Sequence, residues 1–385
     1  MTKNLLAILF GFFISALLFA AAESFFRINA TFNFFSYPKR VAFFDFDQVA
    51  SKKLFLKLKD SPAYQWEPLG PSDIGGLQRS DLDLVEDGFF PCCIGRREPV
   101  KSGTFHSSLI DPRTKRVVSR ARYTFDEFGR RLTPTSSDPA YNLLFFGGSF
   151  TMGQAVDDEE TAPYRLGLMR PRAQVYNFGV AGGSANEFLY ELEMDPSPRL
   201  AGIPNRKSLV LYVFIESHYD RLFCPSLCVR QEHNWVINKP YYVRSGGEII
   251  FNGFFDTNRK FQNGVYRLFN ASALFGFFDI VWPLFYTEWH HEFFADLLLK
   301  AKVKSQQRFV DSDLYLVLFP GASHTLGKKL KSASEAKGIK VLDYSELMMN
   351  IVTGGKFEVP LEQHPTPVAQ YVFSYLLNRD LPTYE

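Results

Sequence analysis

From residue 141 onward the chain alternates two rhythms. Leu143–Phe146, Val175–Phe178, Leu209–Ile215, Leu314–Phe319 and Ile339–Leu342 are short continuous apolar runs, the pattern of strands buried on both faces. The stretches between them read as helices. Asp157–Glu160 places carboxylates ahead of a helix reaching to about Met169, and Ser184 stands as the N-cap of a second. Ser323–Lys337 forms another, and Pro367–Leu377 closes the chain. Strands alternating with helices predict an α/β fold with a doubly wound parallel sheet over residues 141–385.

Other stretches break this rhythm. Between the third and fourth core strands lie roughly 90 residues, far more than a crossover needs. This insertion, 222–300, holds a hairpin over Tyr241–Phe251 turning at Gly246-Gly247. It continues with aromatic helical segments at Val265–Phe269, Ala273–Trp282 and Trp289–Lys302. It reads as a second small core, or more sharply as a cap over a site or a surface lying on a membrane. Ahead of the core, residues 29–140 read as a stalk, running over 23–60, followed by an irregular β accessory region rich in Pro, Gly, Asp and Arg.

The run Leu5–Ala22 carries no charge and is flanked by Lys3 and by Glu23 and Arg27. As a helix it rises roughly 27 Å, near the thickness of a bilayer's apolar layer. Residues 1–28 therefore read as a membrane anchor, with a signal peptide cleaved after Ala20-Ala21-Ala22 as the other reading. Either one exports the chain, and an anchored protein on the periplasmic or extracytoplasmic side of the inner membrane is the expectation. In such a compartment Cys92-Cys93 and Cys224-x-x-x-Cys228 invite one or two disulfides, and a link between the two clusters is expected. The cysteine spacing does not suit zinc, and no metal or cofactor is expected.

Charge and composition narrow the function. Forty-three basic and 41 acidic residues leave a net charge of +2, which excludes the concentrated basic face of a nucleic-acid binder. With 46% hydrophobic and 22% charged residues the chain is neither disordered nor fibrous. The 40 Phe residues predict thick core packing, with a minority available for an apolar pocket or a membrane face.

Candidate chemistry gathers where the fold would place it. In a doubly wound sheet, ligands sit at the carboxyl ends of strands near the switch in strand order. Ser149 follows the first core strand directly, with Gly147 and Gly148 before it and Gly153 after. Glycines permit the tight turn, and the helix start offers free N–H groups to an oxyanion. A serine there needs a base. His364, on the loop before the last helix, is the candidate, with Glu362 two positions upstream to orient it. Competing motifs fail on spacing. Thr151 stands where an α/β-hydrolase elbow needs glycine, Gly179, Gly182 and Gly183 lack dinucleotide-fold spacing, and His290-His291-Glu292 diverge around a helix.

Phe146-Gly-Gly-Ser-Phe-Thr-Met-Gly153 resembles the nucleophile block of the SGNH/GDSL hydrolase superfamily, and Asn177-Phe-Gly-Val-Ala-Gly-Gly183 its second block. Leu209–Arg221 and Glu362–Pro365 occupy the third and last blocks. Tyr123–Leu132 is similar to a segment that precedes the nucleophile in envelope-anchored members. The resemblance implies a flavodoxin-like SGNH fold and a serine esterase with no cofactor. Ser149, Glu362 and His364 would be catalytic, and the N–H groups of Ser149 and Gly179 would form the oxyanion hole. The third block departs from the family pattern, reading Ile215-Glu-Ser-His-Tyr-Asp220 in place of Gly-x-Asn-Asp. Ser217 or His218 is then the candidate for the remaining donor. The expected substrate is an acyl ester, with an O-acetyl group on envelope carbohydrate preferred. Transfer of the acyl group to an envelope polysaccharide, or glycan binding without catalysis, are the alternative functions.

Overall fold

Tertiary structure comes from a computed structural model, which describes residues 14–25, 27, 47–66, 83–87, 102–111, 113, 115, 117–194, 197–230, 236–359 and 362–384. The elements follow in chain order. α1 (Gln48–Leu58) precedes an antiparallel meander of β1 (Asp83–Asp87), β2 (Gly103–Ile110) and β3 (Val117–Phe125). β4 (Tyr141–Gly147), α2 (Ser149–Met152), α3 (Ala162–Met169), β5 (Ala173–Asn177), α4 (Ala185–Glu193), β6 (Ser208–Phe214) and α5 (Ser217–Phe223) open the core. The insertion supplies the hairpin β7 (Pro240–Ser245) and β8 (Glu248–Phe254), then α6 (Phe255–Asn258), α7 (Lys260–Asn270) and α8 (Ala273–Phe277). α9 (Glu288–Arg308), β9 (Ser312–Leu318), α10 (Thr325–Glu335), β10 (Lys340–Asp343), α11 (Met349–Val352) and α12 (Pro367–Asp380) complete the chain.

The five core strands pair in parallel in the order β10-β9-β6-β4-β5. Counted along the chain this is 2-1-3-4-5, the flavodoxin-like winding. The continuous apolar runs follow from burial on both faces. Leu144, Phe146, Val210, Tyr212 and Phe214 join a core with α4 and α9. Leu143, Phe145, Leu209, Leu211 and Val213 join the opposite core with α1, α3 and α12.

Three expectations change. The stalk reading of 23–60 fails over α1, where Leu54 and Leu58 are buried in the second core and Asp47 bridges to Leu347. Only Ser51, Leu54 and Leu58 are buried in this helix, a stripe too narrow to stand out among its lysines. Trp289–Lys302 belongs to α9, whose Phe294, Leu297 and Leu298 lie in the first core, so it is the crossover helix of the sheet. The separate core of the insertion is the small cluster of Cys224, Cys228, Val236 and Phe255. The helix expected over Ala273–Trp282 stops at Phe277.

The cysteine pairing also differs, because Cys224 bonds Cys228. Cys224 ends α5 in the left-handed region at φ 46°, and the 3-10 turn Ser226–Val229 brings the two Cα atoms to 5.4 Å. Cys92 and Cys93 lie outside the described residues, as does the apolar run from Leu5 to residue 13. Residues 14–25 are helical, and no helix among the described residues is long and apolar enough to cross a membrane.

Candidate active site

Ser149 opens α2 directly after β4, beside β6, where the winding of the sheet reverses. The glycines before it serve different needs. Gly147 has φ +154°, and a Cβ there would lie 2.2 Å from Thr151 Oγ1 and 2.8 Å from the Val213 carbonyl. Gly148 is backbone-unstrained, but a Cβ there would lie 2.8 Å from Arg221 Nη1 and 2.9 Å from His218 Nε2. Two side chains of α5 thus fill the space against Gly148. Gly153 closes the turn in the left-handed region at φ +82°.

A one-turn helix leaves its last carbonyls without partners. Two buried side chains supply them. Asn177 Nδ2, at the end of β5, donates to the Thr151 and Met152 carbonyls at 3.2 and 3.4 Å. The Arg131 guanidinium, fully buried, donates to Met152 O at 2.8 Å, to Gly153 O and to Val156 O at 2.6 Å, and pairs with Asp158 at 3.0 Å. From α12, Gln370 Nε2 donates to Phe150 O at 3.0 Å, tying the last helix to the serine turn.

The loop bearing His364 is folded back on itself. Val359 N donates to His364 O at 2.8 Å, and Glu358 bridges to Pro365. The imidazole meets the Phe150 ring edge-on, with centroids 5.8 Å apart. The rim beside Ser149 therefore carries His364, as the sequence predicts. No hydrogen bond joins the two among the described residues, and such contacts often tighten only when substrate binds. Burial holds the His364 imidazole down to about 4, the Arg221 guanidinium pushes the same way, and the main-chain carbonyl of Glu362 opposes them. The His364 imidazole is accordingly neutral at physiological pH.

The orienting role expected of the Glu362 carboxylate is not what the structure places there. Glu362 Oε1 accepts a hydrogen bond from Ser119 Oγ on β3 at 3.3 Å, and no carboxylate hydrogen-bonds the buried Nδ1 of His364 among the described residues. Gln363, between Glu362 and His364, lies in the left-handed region at φ 56°, and it is the Glu362 main chain, not its carboxylate, that acts on the ring.

Gly179 is a second correction. Its N–H donates to Asn177 Oδ1 at 2.9 Å, so it is not available to an oxyanion. A Cβ at Gly179 would lie 2.3 Å from Met152 N, so the residue's task is close approach to the serine turn. In the same loop Gly182 has φ +72°, and its N–H makes no hydrogen bond among the described residues. The Ser149 N–H, first in α2, is likewise outside the helical ladder.

Of the two third-block candidates, His218 is the one that lies against Gly148. The ring is fully buried, and Tyr212 Oη lies 2.6 Å from Nδ1. Burial holds the Tyr212 phenol neutral, and where its proton points to His218 Nδ1 the imidazole proton sits on Nε2. Nε2 is buried with no hydrogen-bond partner and faces the Gly148 position. Burial, with the Arg221 guanidinium adding to it, holds the pKa of His218 well below the ordinary value, and the ring is neutral. Ser217 Oγ is also without a partner, and it lines a pocket of about 140 Å³ with Asp220, Arg221, Pro225, Leu227, Cys228 and Val236.

Sequence reasoning missed Arg131, Asn177, Arg221 and Tyr212. An arginine ahead of the core reads as solvated, and only the position of Arg131 inside the Tyr123–Leu132 segment hinted otherwise.

No family model matches the chain, and no curated protein does. Among solved structures the chain is similar to a lipolytic protein of the G-D-S-L family from Veillonella parvula, with 13% identity, 63% of this chain and 98% of that one covered, and a TM-score of 0.35. It is similar to a lipase/acylhydrolase from Enterococcus faecalis, with 13% identity, 64% and 100% covered, and a TM-score of 0.32. A phospholipase A1 from Streptomyces albidoflavus gives 11% identity, 63% and 100% covered, and a TM-score of 0.32. What the site can do is set by the geometry above.

Proposed function

We propose that the protein is a serine ester hydrolase of the SGNH type, working through a Ser149–His364 dyad. Ser149 Oγ attacks the ester carbonyl and its proton passes to His364. The oxyanion is held by the Ser149 N–H and by His218 Nε2–H. Collapse expels the alcohol, which takes the proton from His364. Water, deprotonated by the same imidazole, then attacks the acyl-serine, and collapse releases the acid while Ser149 Oγ takes the proton back from His364. The observation that carries this reading is the orphaned, buried Nε2 of His218 beside Gly148, at the turn that starts with Ser149 and shares its rim with His364.

The substrate in this reading is a short acyl ester, an O-acetyl group on cell-envelope carbohydrate, with the chain held to a membrane on its exported side by the N-terminal apolar run. Turnover of a chromogenic acetyl ester by the full chain is the test. Ser149→Ala abolishes it along with labelling by a fluorophosphonate probe, and full activity in that variant would remove the proposal. An oligosaccharide present in the assay also reports acyl transfer, if its hydroxyl replaces the water.

A further inference from the structure

Most exposed large apolar side chains among the described residues belong to two segments, the N-terminal helix and the insertion. The helix exposes Ile14, Leu17, Leu18 and Phe19. The insertion exposes Phe261 and Leu268 on α7, then Trp282, Leu284, Phe285 and Trp289. Phe261 is 87% and Leu268 75% exposed; seven residues apart, they share one face of α7, while Asn263 and Tyr266 are buried on the other. Lys260 and Arg267 are exposed beside them.

The two segments are joined. The Glu23 carboxylate accepts hydrogen bonds from Ser272 Oγ at 2.6 Å, Ala273 N at 2.7 Å and Leu274 N at 3.1 Å. Arg27 pairs with Glu23 and donates to Ala271 O at 3.0 Å. Phe19 packs on Phe275, which stacks on Phe269, which stacks on Trp282. An uncharged run that begins at Leu5 therefore ends latched to an aromatic face bordered by cations. Aromatic and aliphatic side chains interleaved with Lys and Arg suit the boundary between lipid headgroups and acyl chains.

The geometry points to the α7–Trp289 face as a surface that rests on a bilayer containing anionic phospholipid, beside the N-terminal helix. Trp289 and His290 pack on Phe223, the last residue of α5, the helix that carries His218 and Arg221. Seating this face on lipid would fix the catalytic rim at a set height above the membrane. The inference does not depend on the esterase chemistry.

The test uses the full chain in vesicles of phosphatidylcholine and phosphatidylglycerol. Trp66→Phe with Trp235→Phe leaves Trp282 and Trp289 as the emitters. With brominated acyl chains their emission is expected to be quenched, and iodide to lose access to them. Phe261→Glu with Leu268→Glu, each replacing an apolar contact worth roughly tenfold or more in partitioning, is expected to restore iodide access while the chain stays on the vesicles. A chain that floats with vesicles, yet shows no quenching by brominated lipid, overturns the surface and leaves the anchor standing. Shielding that follows protein concentration rather than lipid assigns the face to a second copy and overturns it as well.

Discussion

Replacing His218 by Phe removes both ring nitrogens while keeping most of the volume of a fully buried side chain. If Nε2–H is an oxyanion donor, the loss falls on the transition state, because charge develops on the substrate oxygen only there. Loss of one such donor costs about 2.7–4 kcal/mol, or about 10²–10³ in kcat, with KM changed by no more than about threefold. Tyr212→Phe acts one step back. It deletes the hydroxyl 2.6 Å from Nδ1, so nothing fixes the ring proton on Nε2, and the loss in kcat lies between wild type and His218→Phe. In the double variant Tyr212→Phe adds less than about threefold, since its effect runs through the imidazole. Steady-state turnover of an acetyl ester reads all three, with thermal melts to confirm folding. Nitrogen-15 shifts of the imidazole report the tautomer in Tyr212→Phe. A His218→Phe variant within tenfold of the wild-type kcat would refute the reasoning, whatever Tyr212→Phe does.

Other outcomes follow from the same site. Glu362→Gln keeps kcat within about tenfold, whereas a carboxylate working in a triad would cost about 10⁴; a loss of the larger size would show the carboxylate turning back to His364. Because the imidazole titrates at about 4 and the neutral form is the base, kcat/KM holds through mildly acid pH and falls as pH drops through about 4. An acid limb near 6.5, the ordinary histidine value, would contradict the burial described. Arg131→Met leaves Asp158 buried without its closest cation and frees the carbonyls after Ser149; urea unfolding should show a loss of about 3–5 kcal/mol, and a loss below about 1 would mean the site is solvated.

Continuous apolar runs announced β4, β6 and β9 because both faces of these strands are covered, and the same runs gave the position of Ser149 at a strand end. His364 was legible for a related reason, since the loop before a closing helix returns to that rim. What was hidden depends on contacts between distant positions. The Glu362 carboxylate accepts a hydrogen bond from Ser119, 243 positions earlier. The commitment of the Gly179 N–H is decided by the rotamer of Asn177. The cysteine pairing turned on how α5 ends, a left-handed residue that no run of apolar positions reveals. The departure of the third block from the family pattern was visible, but choosing His218 over Ser217 needed the Tyr212 contact from inside the sheet.

The missing side chain at Gly148 has an evolutionary corollary. A side chain there must displace the tips of His218 and Arg221, so these three positions are expected to vary as a set. A carboxylate at 148 would meet a ready ion partner in the flexible Arg221, whereas the buried His218 ring has less room to yield, so a library pairing changes at 148 and 218 is expected to recover variants that changes at 148 alone lose.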